Sequence, residues 1–295
     1  MSESPGLDTL AITDMPIGDG DASPDRRTLL FLHANGMNAQ TWAPLIDALS
    51  SLGAHGTARL VDLPGHGRAP QPLTTDGLWV STARAVQAVL EASPDVVLVG
   101  HSLGASLALV AAAGQTGVAG IFAFEPVVVT PGLEADARTV GGALAGLALR
   151  RRSSFESADV ARERLFSKPP LSSFAPAVID AWLATAITQH HDHVELTCSP
   201  ELEAQFFAQT AVQDVFAVLP GVHVPVAIAV GSDSYDAYPG VAAKQVVDAL
   251  PHATLHVVND VGHFGPLESP VAVAAHLATW LHGLATNAGP SQSPA

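Results

Sequence analysis

The sequence predicts an α/β protein with a mostly parallel central sheet, flanking helices and one helical insertion. Short runs of aliphatic and β-branched residues alternate with longer amphipathic stretches, a pattern typical of parallel strands joined by crossover helices. Several of the short runs are almost continuously apolar, as in strands that are covered on both faces. The alternation is interrupted once, at 131–219, where helical patterns follow one another and no convincing strand is found.

The aliphatic runs and the amphipathic stretches place strands and helices in a definite order along the core. The run Leu29-Leu30-Phe31-Leu32 and the run Val96-Val97-Leu98-Val99 are the clearest strands, because each is apolar throughout. We expect strands at 28–33, 57–62, 95–100, 121–125, 224–231 and 254–258, and helices at 40–51, 76–92, 102–114, 240–250 and 270–284.

The interruption divides the chain into a core and a cap. The core is expected at 7–130 and 220–285, and the segment 131–219 is expected to form a helical cap over the sheet. The two ends, 1–6 and 286–295, are rich in Ser, Pro, Gly and Asn, and we expect them to be disordered tails.

The charge balance excludes two classes of partner. The chain has 28 acidic residues against 13 Lys and Arg, which gives a formal net charge of −15. It therefore lacks the basic footprint that binding to a phosphate backbone requires, and we expect no nucleic-acid partner. An anionic membrane surface is disfavoured for the same reason.

Cysteine content and hydropathy indicate the compartment. Cys198 is the only cysteine, so an intramolecular disulfide is excluded. The first twenty residues carry acidic side chains instead of the basic region of a secretory signal, and no apolar segment reaches the roughly 20 residues that span a bilayer. We therefore expect a soluble, cytoplasmic protein, and the sequence leaves its oligomeric state open.

The strongest functional signal is the pentapeptide Gly100-His101-Ser102-Leu103-Gly104. It directly follows a predicted strand and opens a predicted helix, which is the context of a nucleophile elbow. The glycines permit a strained turn that exposes the Ser102 hydroxyl. The start of the helix brings backbone N–H groups and a positive dipole end close to a developing oxyanion.

These residues and their context resemble those of the α/β-hydrolases. The segment His33-Ala34-Asn35-Gly36-Met37 resembles the family's loop after the third strand, which supplies an oxyanion donor. The resemblance implies the Leu103 N–H as the first donor and the Asn35 N–H as the second, with Ala34 or Met37 as alternatives. It also marks His33, Ala34, Met37 and His101 as neighbours of the substrate. His66, in Asp62-Leu63-Pro64-Gly65-His66-Gly67, is interpreted as part of a structural turn.

The general base is predicted near the C-terminus, because the family's chain order is serine, acid, histidine. His263, in Val261-Gly262-His263-Phe264-Gly265-Pro266, occupies that position. An imidazole that titrates near neutrality can deprotonate Ser102 and then protonate the leaving group. The run His190-His191-Asp192-His193 is not expected to bind a metal, because consecutive residues point in different directions. No metal and no cofactor are predicted.

The acid has two candidate positions. In most relatives it lies three residues beyond a glycine after the strand that follows the insertion, but Gly231-Ser232-Asp233-Ser234 has a serine there. Asp233 and Asp236 remain close to that position. Glu125 ends an otherwise apolar strand, where an unpaired carboxylate would be costly, and a hydrogen bond to His263 would satisfy it. We favour Glu125 and keep Asp233 as the alternative.

The predicted cap carries bulky aromatic residues and one basic cluster, Arg150-Arg151-Arg152. We interpret the aromatic residues mainly as cap core, and the cap as a cover for a substrate with a hydrophobic part. The arginines are either a solvated helix end or a site for an anionic substrate such as an acyl-coenzyme A. The cap motifs and Phe124-Glu125-Pro126 resemble a bacterial and fungal subgroup that includes acyl-CoA hydrolases of fungal polyketide pathways. That resemblance makes Cys198 a packed cap residue.

The motifs together predict a cofactor-independent serine hydrolase that cleaves an ester or thioester of a small molecule. A serine at the elbow argues against the dehalogenases and epoxide hydrolases of this fold, which use an aspartate. Carbon–carbon bond hydrolases and cofactor-free oxygenases keep the Ser-His pair and remain open, because the fold and the triad do not specify the bond cleaved. A non-catalytic ligand-binding protein is the alternative outside the enzymes.

Overall fold

A seven-stranded sheet forms the centre of the structure, a computed structural model that describes residues 9–18, 27–72, 74, 76–210 and 213–287. Its strand order is β1-β3-β2-β4-β5-β9-β10. Only β1 runs antiparallel to its neighbour, and the other pairs are parallel. The strands of the described residues are β1 (Ala11–Ile17), β2 (Arg27–Leu32), β3 (Gly56–Asp62), β4 (Val96–His101), β5 (Val118–Phe124), β6 (Ser154–Phe155), β7 (Ile187–Gln189), β8 (Val194–Leu196), β9 (Val226–Gly231) and β10 (Ala253–Val258).

Helices cover both faces of this sheet and build the cap. They are α1 (Ala43–Ser51), α2 (Leu78–Glu91), α3 (Leu103–Ala112), α4 (Glu134–Ala148), α5 (Ala158–Leu165), α6 (Pro176–Ala186), α7 (Pro200–Gln209), α8 (Val215–Val218), α9 (Ala243–Ala249), α10 (Gly265–Glu268) and α11 (Pro270–Asn287). A 3-10 turn at Ala39–Trp42 leads into α1.

The alternation of side chains along β2 divides the core into two layers. Leu30 and Leu32 belong to the apolar cluster that α2, α3 and α9 cover. Leu29 and Phe31 belong to the cluster on the opposite face, which α1 and α11 cover. Both layers are built from side chains that are almost completely buried, which explains why the central strands are apolar throughout.

The segment 131–219, called the cap below, supplies most of a third apolar cluster. Phe155, Phe174 and Trp182 are buried in this cluster, and Ala34, Met37 and Leu267 from outside the segment belong to it too. The cap therefore packs directly on the segment after β2 and on α10. No helix among the described residues has the length and apolar character that crossing a membrane requires.

Two expectations about secondary structure were wrong. The segment 131–219 contains the strands β6, β7 and β8, which form a small antiparallel sheet in the order β6-β8-β7. These strands have only two or three residues each, too few to produce a periodic pattern. The edge strand β1 was also missed, because its side chains alternate between half-exposed and exposed and it includes Pro16.

The predicted tails fall almost entirely outside the described residues. This holds for 1–6 and for 288–295. Thr286 and Asn287, which were assigned to the C-terminal tail, instead belong to α11. The helix thus continues three residues beyond the predicted end at Leu284.

Candidate active site

A sharp turn between β4 and α3 presents Ser102 at the carboxyl edge of the sheet. Its backbone angles are φ 54° and ψ −115°, a conformation that L-residues rarely adopt and that stores strain. Glycines flank the turn because there is no room for side chains. A Cβ on Gly100 would lie 2.5 Å from the Ala105 Cα, and one on Gly104 would lie 2.1 Å from the Leu32 carbonyl oxygen.

Three side chains from separate loops form a hydrogen-bonded relay. His263 Nε2 lies 3.2 Å from Ser102 Oγ, and His263 Nδ1 lies 2.6 Å from Glu125 Oε2. A carboxylate can only accept, so Nδ1 carries the proton and Nε2 has a free lone pair for the serine hydroxyl. This is the tautomer that a general base for Ser102 requires.

Glu125 is buried at the end of β5 and is fully satisfied by its neighbours. Its second oxygen, Oε1, accepts hydrogen bonds from the Gly231 N–H at 3.0 Å and from the Ser234 hydroxyl. Burial alone would raise the pKa of Glu125, but the hydrogen bond and the charge of His263, together with the bonds from Ser234 and Gly231, lower it below its ordinary value. The carboxylate therefore remains ionised beside the imidazole.

The alternative acids lie away from the imidazole. Asp233 is exposed, and its Oδ1 accepts a hydrogen bond from Ser232 Oγ at 3.0 Å. Asp236 is also exposed. Of the three candidate carboxylates, the structure brings only Glu125 to His263.

Further contacts hold the loop that carries His263. His101 is buried, and its Nε2 donates a hydrogen bond to the His263 carbonyl oxygen at 2.8 Å. Burial holds the pKa of His101 well below its ordinary range, so the ring is neutral. Glu268 accepts a bond from the Gly262 N–H at 2.7 Å and one from the cap hydroxyl of Ser173 at 3.4 Å. His101, which sequence reasoning placed near the substrate, thus supports the base loop.

Backbone N–H groups that could bind an oxyanion come from two places. Leu103 is the first residue of α3, where N–H groups have no partner within the helix. In the segment after β2, the Met37 N–H is bonded to the Ala34 carbonyl at 3.0 Å, and the Gly36 N–H is bonded to His66 Nε2 at 3.1 Å. The N–H groups of Ala34 and Asn35 donate to no atom of the described residues. Of the alternatives for the second donor, Met37 is therefore engaged elsewhere.

The two histidines beneath this segment are structural. His33 Nε2 accepts from the Leu63 N–H at 3.0 Å, and Nδ1 donates to the Ala34 carbonyl at 2.8 Å, so neither nitrogen is free for a substrate. His66 Nδ1 donates to the Pro64 carbonyl at 3.0 Å. Burial lowers the pKa of His33 to about 4 and that of His66 to about 3, and both rings are neutral at pH 7.

The arginine cluster is largely neutralised by carboxylates. Arg151 forms an ion pair with Glu203 at 2.7 Å, and Arg152 forms one with Glu156 at 3.2 Å. Arg150 is exposed and has no carboxylate partner among the described residues. The three guanidinium groups therefore do not form one free anion site. The pairing of Arg151 with Glu203, a residue about fifty positions later, was not predicted from the sequence.

The histidine run forms the turn of the β7–β8 hairpin. Of the four residues in the run, only His190 and His193 meet, and the hairpin brings Glu195 beside them, with one ligand atom of each within 4.8 Å of the others. The two imidazoles stack at 4.6 Å with their planes 7° apart. Since a bound ion lies in the plane of its imidazole ligand, stacked rings do not aim their lone pairs at one point.

A comparison with models of protein families agrees with this fold. The model of the Alpha/beta hydrolase family matches residues 29–276. The chain belongs to this family. The match begins in β2 and ends in α11, so it includes the segment after β2, the serine turn and the base loop of this α/β-hydrolase.

Individual relatives of this α/β-hydrolase are more distant. The pimeloyl acyl-carrier protein methyl ester esterase of Xylella fastidiosa is 39% identical over 93 residues, which are 32% of this chain and 34% of that protein. The chain thus spans about a third of the length of this curated relative.

Two solved structures are similar over almost their whole length. The peroxisomal alpha-beta-hydrolase Lpx1 of Saccharomyces cerevisiae has a TM-score of 0.78 at 17% identity, covering 97% of this chain and 92% of its own. The E-2-(acetamidomethylene)succinate hydrolase has a TM-score of 0.75 at 22% identity, covering 92% and 96%. At such identities these similarities establish the fold alone.

Sequence reasoning missed three residues that the site uses. Ser234 bonds to Glu125, Trp182 bonds to the segment after β2, and Glu203 pairs with Arg151. Of the three, only Ser234 could have been noticed in the sequence, because it occupies the position at which most relatives have the acid. Trp182 and Glu203 contact the site through the folding of the cap, which no local pattern encodes.

Proposed function

We propose that this protein is a cofactor-independent serine hydrolase that cleaves a carboxylic ester or thioester through an acyl-enzyme on Ser102. The observation that carries the proposal is the relay from Ser102 through His263 to the buried Glu125, at 3.2 and 2.6 Å. A serine in a strained turn with a correctly oriented imidazole is the arrangement that activates a hydroxyl for attack on a carbonyl.

In the first half of the reaction, Ser102 Oγ attacks the carbonyl carbon and His263 Nε2 takes its proton. The negative charge on the carbonyl oxygen is stabilised by the N–H groups of Leu103 and Asn35. Glu125 stays ionised and stabilises the imidazolium. His263 then gives the proton to the leaving alcohol or thiol, and the acyl group remains on Ser102.

In the second half, a water molecule replaces the leaving group. His263 takes a proton from the water, which attacks the acyl carbonyl in the same oxyanion site. Collapse of this intermediate releases the carboxylic acid and returns the proton to Ser102. The net reaction consumes one water molecule and needs no metal or redox cofactor.

The proposed substrate is a small molecule with a hydrophobic part, acted on in the cytoplasm. The esterase of Xylella fastidiosa, which is matched over about a third of its length, supports an ester. Recognition of an acyl-coenzyme A by the arginine cluster has less support, because Arg151 and Arg152 are already paired with carboxylates. The net charge of −15 favours neutral substrates over anionic ones at long range.

Hydrolysis of a neutral p-nitrophenyl ester series tests the proposal. We expect turnover by the wild-type protein, a loss of about a thousandfold or more in Ser102→Ala and in His263→Ala, and little change in Asp236→Asn as a control. Equal turnover in wild type and Ser102→Ala would refute the acyl-enzyme. A folded wild-type protein without turnover on esters or thioesters would favour the ligand-binding alternative.

A further inference from the structure

We infer that the cap holds the loop that carries the second oxyanion donor, and that Trp182, Arg151 and Glu203 are positioning residues for catalysis. This loop, 33–38, is called the oxyanion loop below. The inference rests on the proposed function for its catalytic consequence, because it assigns the Asn35 N–H to the oxyanion. The contacts that carry it join the cap to this loop, join the loop to the core beneath it, and hold residues of the cap in place.

Three side-chain hydrogen bonds join the oxyanion loop to the cap. Asn35 Nδ2 donates to the Glu203 carbonyl oxygen at 2.9 Å, and Asn38 Nδ2 donates to the Trp182 carbonyl oxygen at 2.7 Å. In the opposite direction, Trp182 Nε1 donates to the Gly36 carbonyl oxygen at 3.3 Å. The bonds reach both sides of Gly36, so a rotation of this part of the loop would break several of them together.

Gly36 is fixed from the cap and from the core at once. Its N–H donates to His66 Nε2 in the core, and its carbonyl accepts from Trp182 in the cap. Its φ is +76°, and a Cβ there would lie 2.7 Å from Glu203 Oε1. The carboxylate of Glu203 therefore packs directly against the Gly36 backbone, in space that a side chain would otherwise fill.

Arg151 holds Glu203 in that place. Its Nη2 lies 2.7 Å from Glu203 Oε2 and 3.0 Å from the Cys198 carbonyl oxygen. The two side chains are only 19% and 14% exposed, so their attraction is less screened than that of a surface pair. Cys198 Sγ in turn lies 3.2 Å from His66 Nε2, the atom that accepts the Gly36 N–H. The ion pair is thus connected to Asn35 through the Glu203 carbonyl oxygen, and to the Gly36 N–H through Cys198 and His66.

These contacts give Arg151 a role that differs from binding an anion. An oxyanion donor works only when its N–H points at the position that the oxygen reaches in the transition state. If the cap releases the loop, the Asn35 N–H loses its orientation while the substrate pocket keeps its composition. Replacement of Arg151 is therefore expected to lower kcat on every substrate. If Arg151 instead bound an anionic substrate, its replacement would raise KM for that substrate alone.

The test combines a structural and a catalytic measurement on Arg151→Ala and Trp182→Phe. Hydrogen–deuterium exchange of peptides that cover the oxyanion loop should be faster in both variants than in wild type. On a neutral p-nitrophenyl ester, kcat should fall roughly tenfold or more, with KM within about twofold. Arg138→Ala, an exposed arginine on α4, is the matched control and should change neither quantity.

The outcomes separate the inference from the proposed function. Unchanged exchange of the loop in both folded variants would overturn the inference, and so would a KM effect confined to acyl-coenzyme A. If exchange is faster in the variants but even the wild-type protein hydrolyses no ester or thioester, the inference that the cap anchors the loop stands and the proposed hydrolase is refuted. Because Arg151→Ala leaves a buried carboxylate unpaired, the double variant Arg151→Met, Glu203→Gln removes the ion pair without that penalty.

Discussion

Ser234 donates its hydroxyl hydrogen bond to Glu125, across the gap between the loop after β9 and the end of β5. The resemblance to the α/β-hydrolases places the usual acid three residues beyond Gly231, and this is the position that Ser234 occupies. The loop that carries the acid in most relatives therefore supports the carboxylate of Glu125, which follows another strand. The Gly231 N–H adds a second bond to the same carboxylate oxygen.

The first prediction concerns the identity of the acid. Glu125→Gln should lower kcat by about a thousandfold or more on an ester, because an amide can hold the imidazole in the wrong tautomer. Asp233→Asn is the matched control and should keep nearly full activity, since Asp233 contacts Ser232 and not His263. The measurement is kcat of the two variants on the same ester. A large loss in Asp233→Asn and little loss in Glu125→Gln would identify Asp233 as the acid.

The second prediction concerns Ser234 itself. Ser234→Ala should lower kcat roughly tenfold or more, because a hydrogen bond to a charged group contributes about 1.5–3 kcal/mol. The same change should raise the pKa of Glu125, and with it the pH at which activity is lost on the acid side. Ser232→Ala, which removes a neighbouring hydroxyl bonded to Asp233, is the control for the pH profile. Identical profiles for the three proteins would show that Ser234 does not act on Glu125.

The third prediction concerns acid stability. The folded protein keeps His33 and His66 neutral, with pKa values of about 4 and 3, whereas the unfolded chain protonates histidines near pH 6.5. Between these values the unfolded state binds more protons, so the free energy of unfolding falls as the pH decreases. Each of the two imidazoles contributes up to about 1.4 kcal/mol per pH unit from 6.5 toward 4.

Urea unfolding at a series of pH values measures this slope. His66→Gln should show a shallower dependence on pH than wild type, and His282→Gln, a change of an exposed histidine on α11, should not. A slope in His66→Gln equal to that of wild type would contradict the buried neutral imidazole.

The fourth prediction compares two glycines. Gly104→Ala should destabilise the protein by about 2 kcal/mol or more and reduce activity, because the new Cβ would meet the Leu32 carbonyl oxygen at 2.1 Å. Gly142→Ala, on the exposed side of α4 with open space around it, should instead stabilise the protein by roughly 0.5–1 kcal/mol. If the urea midpoints of both variants moved in the same direction, the claim that there is no room for a side chain at Gly104 would be contradicted.

The central strands of the fold could be predicted because they are buried on both faces. Runs such as Val96-Val97-Leu98-Val99 have no polar residue, and the structure places them in the middle of the sheet. The edge strand β1 has alternating half-exposed and exposed side chains, and its pairing with β3 is a long-range choice that its own pattern does not reveal. The strands of the cap are too short to be distinguished from turns.

The residues of the relay could be proposed from the sequence because each follows a local rule. Ser102 lies in a strand-to-helix pentapeptide, and Glu125 is a lone carboxylate at the end of an apolar strand. The partners of the arginines follow no such rule. Arg151 and Glu203 are far apart along the chain and meet because α4 and α7 pack against each other. The sequence alone therefore could not show that a carboxylate pairs with Arg151.

The most direct test of the central claim is the mass of the intact protein after incubation with a fluorophosphonate, followed by peptide mapping. An activated serine reacts covalently with this reagent, whereas an ordinary hydroxyl does not. We expect one adduct, which is located on Ser102, is absent in Ser102→Ala and forms far more slowly in His263→Ala. A folded wild-type protein that forms no adduct, or forms it on another residue, would contradict Ser102 as the nucleophile.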